Sequence, residues 1–316
     1  KMKNFEYAQP SSEREAVALL ADKSKQTAVL AGGTDLVGLM KRMLVTPDRV
    51  VNIADIDELR HIDKDADGNV WIGAAVNLDE FVDSSLTDEF PAPKQVIQGI
   101  SSIQLQSQGT VVGELLRRPN CWYFRDGQGL LAGQGQTVLA GDNRYHAILG
   151  NRGPAKFVNA SRLAPAFITL GAQVRVVGPD PEAERFLDLA SLYCTPSADD
   201  QVENVLQPGE LITHLVIPPH GNRLSAAYEV RHGEGPDQPL AAAAVSVDVR
   251  AGIVQDARIV LGQVAPTPWI APHAAQSLRG NPINQQTAAI AGHEAVMGAA
   301  ALPDNEYKIQ LAEVAV

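Results

Sequence analysis

The chain has little of what marks a self-sufficient catalyst. Its 316 residues include two cysteines, Cys121 and Cys194. Two thiolates cannot complete a four-iron cluster, and no framework spacing supports a disulfide. Aromatic residues make up only 5%. Positive charge is also scarce: Lys and Arg number 26 against 37 Asp and Glu, a formal charge of −11. That balance argues against nucleic acid or an anionic membrane as partner. No run approaches the ~18 apolar residues of a membrane-spanning helix. The opening KMKNFEYAQPSSERE lacks the apolar stretch of a signal peptide, so no export address is expected on this chain. The seven histidines show no His-x-x-x-His or Glu-x-x-His pairing, so metal binding is not expected. There is no G-x-S-x-G elbow, and neither cysteine sits in a nucleophile's context.

What is present is patterned. Thr27–Leu44, TAVLAGGTDLVGLMKRML, reads as a short apolar strand, a Gly-Gly turn and an amphipathic helix. Leu36, Leu39, Met40, Met43 and Leu44 recur on one helical face. Gly32 and Gly33 suit a sharp turn, and Thr34 or Asp35 can cap the helix. N–H groups at such a turn, with the helix dipole behind them, suit a phosphate or pyrophosphate. The loop is neither G-x-G-x-x-G nor a P-loop. On the residues alone, a plain strand–turn–helix without ligand fits equally well.

The rest can be read coarsely. Ser12–Glu15 has capping-box form ahead of a helix carrying Ala16, Val17, Leu19 and Leu20. Strands are expected at Arg49–Ile53, Asn69–Ala74, Gln173–Val177 and Leu211–Ile217, and a short helix at Leu163–Leu170. Past His220 the character becomes β-rich. Leu240–Arg250 and Ile253–Val264 flank Ala251-Gly252 as a hairpin, followed by helices at Pro272–Leu278 and Gln285–Ala300. Two domains are expected, with the boundary near 218–224. Trp122, Tyr123 and Phe124 could stack on a ring, but such a cluster is more readily core.

Six motifs carry a resemblance over nearly the whole chain. They are AGGTDL, GTVVGELLRRPNCWYFR (Gly109–Arg125), GDNRYHAILG (Gly141–Gly150), NASRLAPAFITLGA (Asn159–Ala172), LGQVAPTPW (Leu261–Trp269) and DNEYKIQLAEVAV (Asp304–Val316). On these the chain resembles the FAD-binding medium subunit of molybdenum hydroxylases. That family includes the flavin subunits of bacterial carbon monoxide dehydrogenase, xanthine dehydrogenase and aldehyde oxidoreductase. CWYFR with NRYHAILG is similar to the periplasmic aldehyde oxidoreductase branch.

The resemblance implies an α+β fold: an FAD-binding domain over 1–220, split near residue 56 into two subdomains, then a small antiparallel sheet with helices over 221–316. It implies FAD as cofactor. Leu30, Ala31, Gly32, Gly33, Thr34, Asp35 and Leu36 would form the pyrophosphate loop. A second loop would run from Ser102 to Glu114 through Thr110 and Gly113. Asn159–Leu170, with Ser161, Arg162 and Leu170, would lie beside the ribityl chain and ring. Tyr228–Arg231 would approach the flavin from the C-terminal domain. Partners would be a large molybdenum-cofactor subunit and a small subunit with 2Fe-2S clusters, in a heterotrimer or a dimer of heterotrimers. The compartment expected is cytoplasmic, with periplasmic co-export on a partner's signal as the alternative.

Several positions depart from the family pattern. Val112 and Glu114 stand where the second loop has glycine and asparagine, and Gln106-Ser107 replaces an Arg-Asn pair. Arg162 replaces an acid, Glu229 a lysine, and GEGPDQP (Gly233–Pro239) a Ser-Phe-Asp-Phe-like run. A carboxylate beside a pyrophosphate would be repulsive by about 1 kcal/mol. The branch with CWYFR carries an iron–sulfur cluster beginning at the position of Cys121. Here Gly, Gln, Ala and Leu follow instead of cysteines, so no cluster is expected and Cys121 is read as a buried small side chain. Two functions therefore stand: an FAD-carrying electron-transfer subunit, or a structural subunit that has lost its flavin. GDNRYHAILG, with Asn143, Arg144, Tyr145 and His146 read as exposed, is the candidate contact with a partner.

Overall fold

The computed structural model describes residues 2–233, 235 and 237–316; part of the GEGPDQP run thus lies outside the described residues. Three sheets organise the chain. The first is parallel, in the order β1 (Glu6–Ala8), β3 (Arg49–Asn52), β2 (Thr27–Leu30). Its crossovers are α1 (Glu13–Leu20) and α2 (Leu36–Lys41). Ser12 Oγ accepts from Glu15 N–H, as the capping pattern requires. The Glu15 carboxylate, however, reaches back to Ser11 rather than to Ser12.

The second sheet is antiparallel, in the order β4 (Ile62–Lys64), β5 (Val70–Gly73), β8 (Leu211–Ile217), β6 (Gln173–Val177), β7 (Glu184–Asp188). Between β5 and β6 run seven short helices: α3 (Leu78–Asp83), α4 (Pro91–Gln98), α5 (Ile103–Gln108), α6 (Val111–Leu115), α7 (Trp122–Arg125), α8 (Gln136–Ala140) and α9 (Ala164–Thr169). A further helix, α10 (Leu189–Leu192), follows β7. The first two sheets share one core with Phe81, Phe90 and Phe167 at its centre.

The third sheet is antiparallel, in the order β12 (Trp269–Ile270), β11 (Ile253–Gly262), β10 (Ala241–Arg250), β9 (Leu224–Val230). Ala251 and Gly252 both have positive φ, 50° and 79°, which matches the twist of the β10–β11 hairpin. Against this sheet pack α11 (Pro272–Leu278), α12 (Gln285–Ala295) and α13 (Tyr307–Ala315), around a separate core of mostly Ala, Val and Leu.

Several expectations shift. The helix after the Gly-Gly turn ends at Lys41, and Met43 lies outside it with φ 60°. The segment GDNRYHAILG is mostly interior: Asn143 and Ala147–Leu149 are buried, as is His146, while Arg144, Tyr145 and the terminal Gly150 are exposed and Asp142 is partly so. The reason is a set of bonds to the C-terminal helices. Asn143 Oδ1 accepts from Asp304 N–H, Tyr307 Oη donates to Arg144 O, and Lys308 Nζ donates to the carbonyls of Tyr145 and His146. The segment is a strap joining the two halves of the chain.

Candidate functional site

Residues 31–36, between β2 and α2, form one wall of a cleft of about 310 Å³. Thr110, Val112 and Gly113 at the start of α6 form the facing wall, and Leu206, Glu210, Leu211 and Ile212 close it from the second sheet. The two loop glycines serve different ends. Gly33 sits at φ 72°, where a Cβ is strained. Gly32 has no room, since a Cβ would stand 1.7 Å from the Gln108 carbonyl oxygen.

The unsatisfied groups are the informative ones. Among the described residues, no backbone N–H from Gly32 to Leu36 donates to a protein acceptor, and neither does that of Val112. Gly113 N–H is taken by Thr110 Oγ1 at 3.1 Å. Asp35 does not cap α2; its carboxylate turns away, accepting from Arg118 N–H at 2.9 Å and Arg125 Nη1 at 2.7 Å. Glu210 is likewise engaged. Burial works against its charge, yet the Arg185 guanidinium and Gln207 N–H hold its carboxyl below the ordinary value. The cleft therefore presents backbone donors, with its acids paired elsewhere and Arg118 on its wall bridged to Glu203. A pyrophosphate needs that chemistry, and these residues fit it.

Of the residues singled out in the sequence, the structure gathers Ala31, Gly32, Gly33, Thr34, Asp35 and Leu36 with Thr110 and Gly113 around this one cleft. Leu30 lies just behind it, its side chain against the Cβ position of Gly33. Ser102, Glu114, Ser161, Arg162, Leu170 and Arg231 are not among its lining residues. Ser102 caps α5, accepting from Leu105 N–H, and Ser161 Oγ accepts from Ala164 N–H at the start of α9. Leu170 is core. Sequence reasoning missed the 206–212 wall; the Gln207–Gly209 turn before β8 was its only signal.

The feared repulsion from Glu114 is removed by where its side chain points. Its carboxylate accepts from Arg162 N–H at 3.4 Å and from Arg117 Nη1 at 3.3 Å, and burial pushes its carboxyl above the ordinary value. Arg162 and Glu229, two separate departures in the sequence, meet each other. Arg162 Nε donates to Glu229 Oε1 at 2.8 Å and Nη2 to Oε2, with side-chain exposures of 2% and 8%. Arg231 donates to the Gly99 carbonyl beside them. This bidentate pair ties β9 to the start of α9.

Cys121 and Cys194 are free. Cys121 Sγ lies 3.2 Å from His146 Nε2, and burial raises its thiol pKa, so it is not a poised thiolate. Burial, with the Lys308 charge adding to it, lowers His146 to about 4. Phe124 is core, whereas Trp122 makes edge-on ring contacts with Tyr145 and His146 and Tyr123 a tilted one with His146. Among the described residues no group of three or more His, Cys, Asp or Glu side chains could hold a metal ion.

Comparison with known proteins adds the following. Residues 3–220 match the family described as FAD binding domain in molybdopterin dehydrogenase, and residues 226–316 the CO dehydrogenase flavoprotein C-terminal domain. The aldehyde oxidoreductase FAD-binding subunit PaoB of Escherichia coli (strain K12) is 32% identical, over 85% of this chain and 84% of that protein. The carbon monoxide dehydrogenase medium chain of Afipia carboxidovorans is 27% identical, over 89% and 82%. Among solved structures, reconstituted CO dehydrogenase from Oligotropha carboxidovorans is similar with a TM-score of 0.74 at 25% identity, covering 100% of this chain and 96% of that one.

Proposed function

The chain belongs to the FAD-binding subunits of the molybdenum hydroxylase family of oxidoreductases, and on that footing we propose that it is the electron-transfer subunit of a multi-subunit complex, silent without its partners. The observation that carries this reading is the row of unbonded N–H groups from Gly32 to Leu36, facing the start of α6 across the cleft. Those N–H groups and that of Val112 would hold the pyrophosphate of FAD. Bound there, FAD would supply the redox chemistry of electron transfer between partner iron–sulfur centres and an external acceptor.

The chain's own part is binding and orientation. Asp35, held by Arg118 N–H and Arg125, fixes the loop against the 118–125 segment. Val112, Leu116 and Ile212 give the cleft its apolar lining. The large molybdenum-cofactor subunit would select the substrate, an aldehyde or an N-heterocycle. A heterotrimer or a dimer of heterotrimers is the proposed assembly. The proposed compartment is the cytoplasm, with periplasmic co-export as the alternative.

The visible spectrum and flavin-to-protein ratio of the purified complex test the reading. About one FAD per copy of this chain is expected. A colourless, intact complex would make it a structural subunit instead.

A further inference from the structure

A second cavity, of about 320 Å³, lies between the 120–122 and 145–146 segments on one side and residues 238–240 and 263 on the other. It shares no lining residue with the cleft that faces Gly32–Leu36. Its size falls in the range of small-molecule pockets, about 300–1,000 Å³. Trp122, Phe157, Pro239 and Leu240 give it apolar and aromatic walls.

Gln263 is its unusual member. The residue is 3% exposed yet sits at φ 63°, a left-handed conformation that a side chain disfavours. Residues held in such conformations cluster at functional sites and ligand clamps. Its Nε2 donates to Gln238 Oε1 at 3.3 Å. That bond leaves Gln263 Oε1 and Gln238 Nε2 without partners among the described residues, an acceptor and a donor side by side. Together they complement a C=O beside an N–H.

Charge narrows the ligand further. Among the described lining residues the one ammonium, Lys308, is already spent on the carbonyls of Tyr145, His146 and Gln263. An anion would therefore meet no free cation, and Asp237 stands at the rim. We propose that this cavity is a second small-molecule site, for an uncharged flat heteroaromatic whose amide edge pairs with Gln238 Nε2 and Gln263 Oε1 while its ring lies against Trp122 and Leu240.

Calorimetric titration of the flavin-loaded protein with 2-quinolone, N-methyl-2-quinolone and naphthalene tests this. One saturable site for 2-quinolone is expected, with binding at least tenfold weaker for the other two, which lack the N–H or the whole polar edge. Gln238→Ala, in a half-buried position, should lose most of that preference, and Leu240→Trp should fill the cavity and abolish binding with flavin content unchanged. Absence of saturable binding, equal affinity for all three probes, or displacement of 2-quinolone by added FAD would each overturn the assignment.

Discussion

Gly33 and Gly32 show how two adjacent identical residues answer to different constraints. A Gly33→Ala variant carries the cost of a left-handed Cβ, about 1–2 kcal/mol, and places that carbon 3.1 Å from Leu30 Cδ1. Its flavin-to-protein ratio is expected to fall well below the parent's, with a lowered melting temperature; full flavin retention would remove the loop from the site. His146 gives a pH dependence. Its folded value of about 4 lies below the ordinary 6.5, so the unfolded chain binds more protons between these values. Stability is then complete above pH 6.5 and is lost as pH falls towards 4, by up to about 3 kcal/mol. Denaturation across that window should show a shallower slope for His146→Gln. The Arg162–Glu229 pair is the third case. Arg162→Ala leaves Glu229 buried and alone, and a loss of about 3–5 kcal/mol is expected by chemical denaturation. Replacing both partners, as Arg162→Met with Glu229→Leu, should cost much less. Equal losses for single and double variants would mean the pair is not a unit.

At the scale of elements, local pattern succeeded where alternation or flanking turn and proline residues bound the segment. Strand β6 falls on the residues that alternation indicated, β8 on those that turn formers bounded, and α11 on the expected Pro272–Leu278. The short helices α3 to α8 escaped notice: four to eight residues span too few turns to establish a period by themselves. The equally short α1 and α2 were marked instead by the capping-box form of Ser12–Glu15 and by the Gly-Gly turn. The strap at 141–149 was misjudged for another reason. Asn143 and His146 are polar, which suggested exposure, but their hydrogen bonds run to α13 and its approach, far along the chain. Arg144 and Tyr145 are the large side chains of the segment that remain exposed to a partner. Changing both to Ala should alter the isolated chain's stability by no more than about 1 kcal/mol, since the Arg144–Asp142 pair is at the surface. Reduced co-purification of the other subunits with that double variant would support a contact there; an unchanged complex would leave the segment a scaffold.

For the whole molecule, two cores meet along the seam of β9 with α4 and α9, where Gln95 Oε1 accepts from Ala227 N–H and Arg231 donates to Gly99 O. No helix among the described residues is long and apolar enough to cross a membrane. Metal analysis of this chain purified alone should find no stoichiometric iron, because its two cysteines are free and no third or fourth thiolate exists. About four irons per chain would overturn the reading of residues 126–142 as a cluster-less loop.

The sequence by itself determined the family and its α+β class, through six motifs that resemble it, and the loop that starts at Ala31, because glycine pairs, turn residues and apolar periods act over a few neighbouring residues. It could also list the departures at Val112, Glu114, Arg162 and Glu229. What those departures mean was decided only in three dimensions. A charge has no fixed effect until its neighbours are known: Glu229 faces the guanidinium of Arg162, far away along the chain, and Glu114 is held between nearby Arg117 and the distant Arg162 N–H. The same holds for Gln263, whose positive φ and amide partner no local pattern foretells.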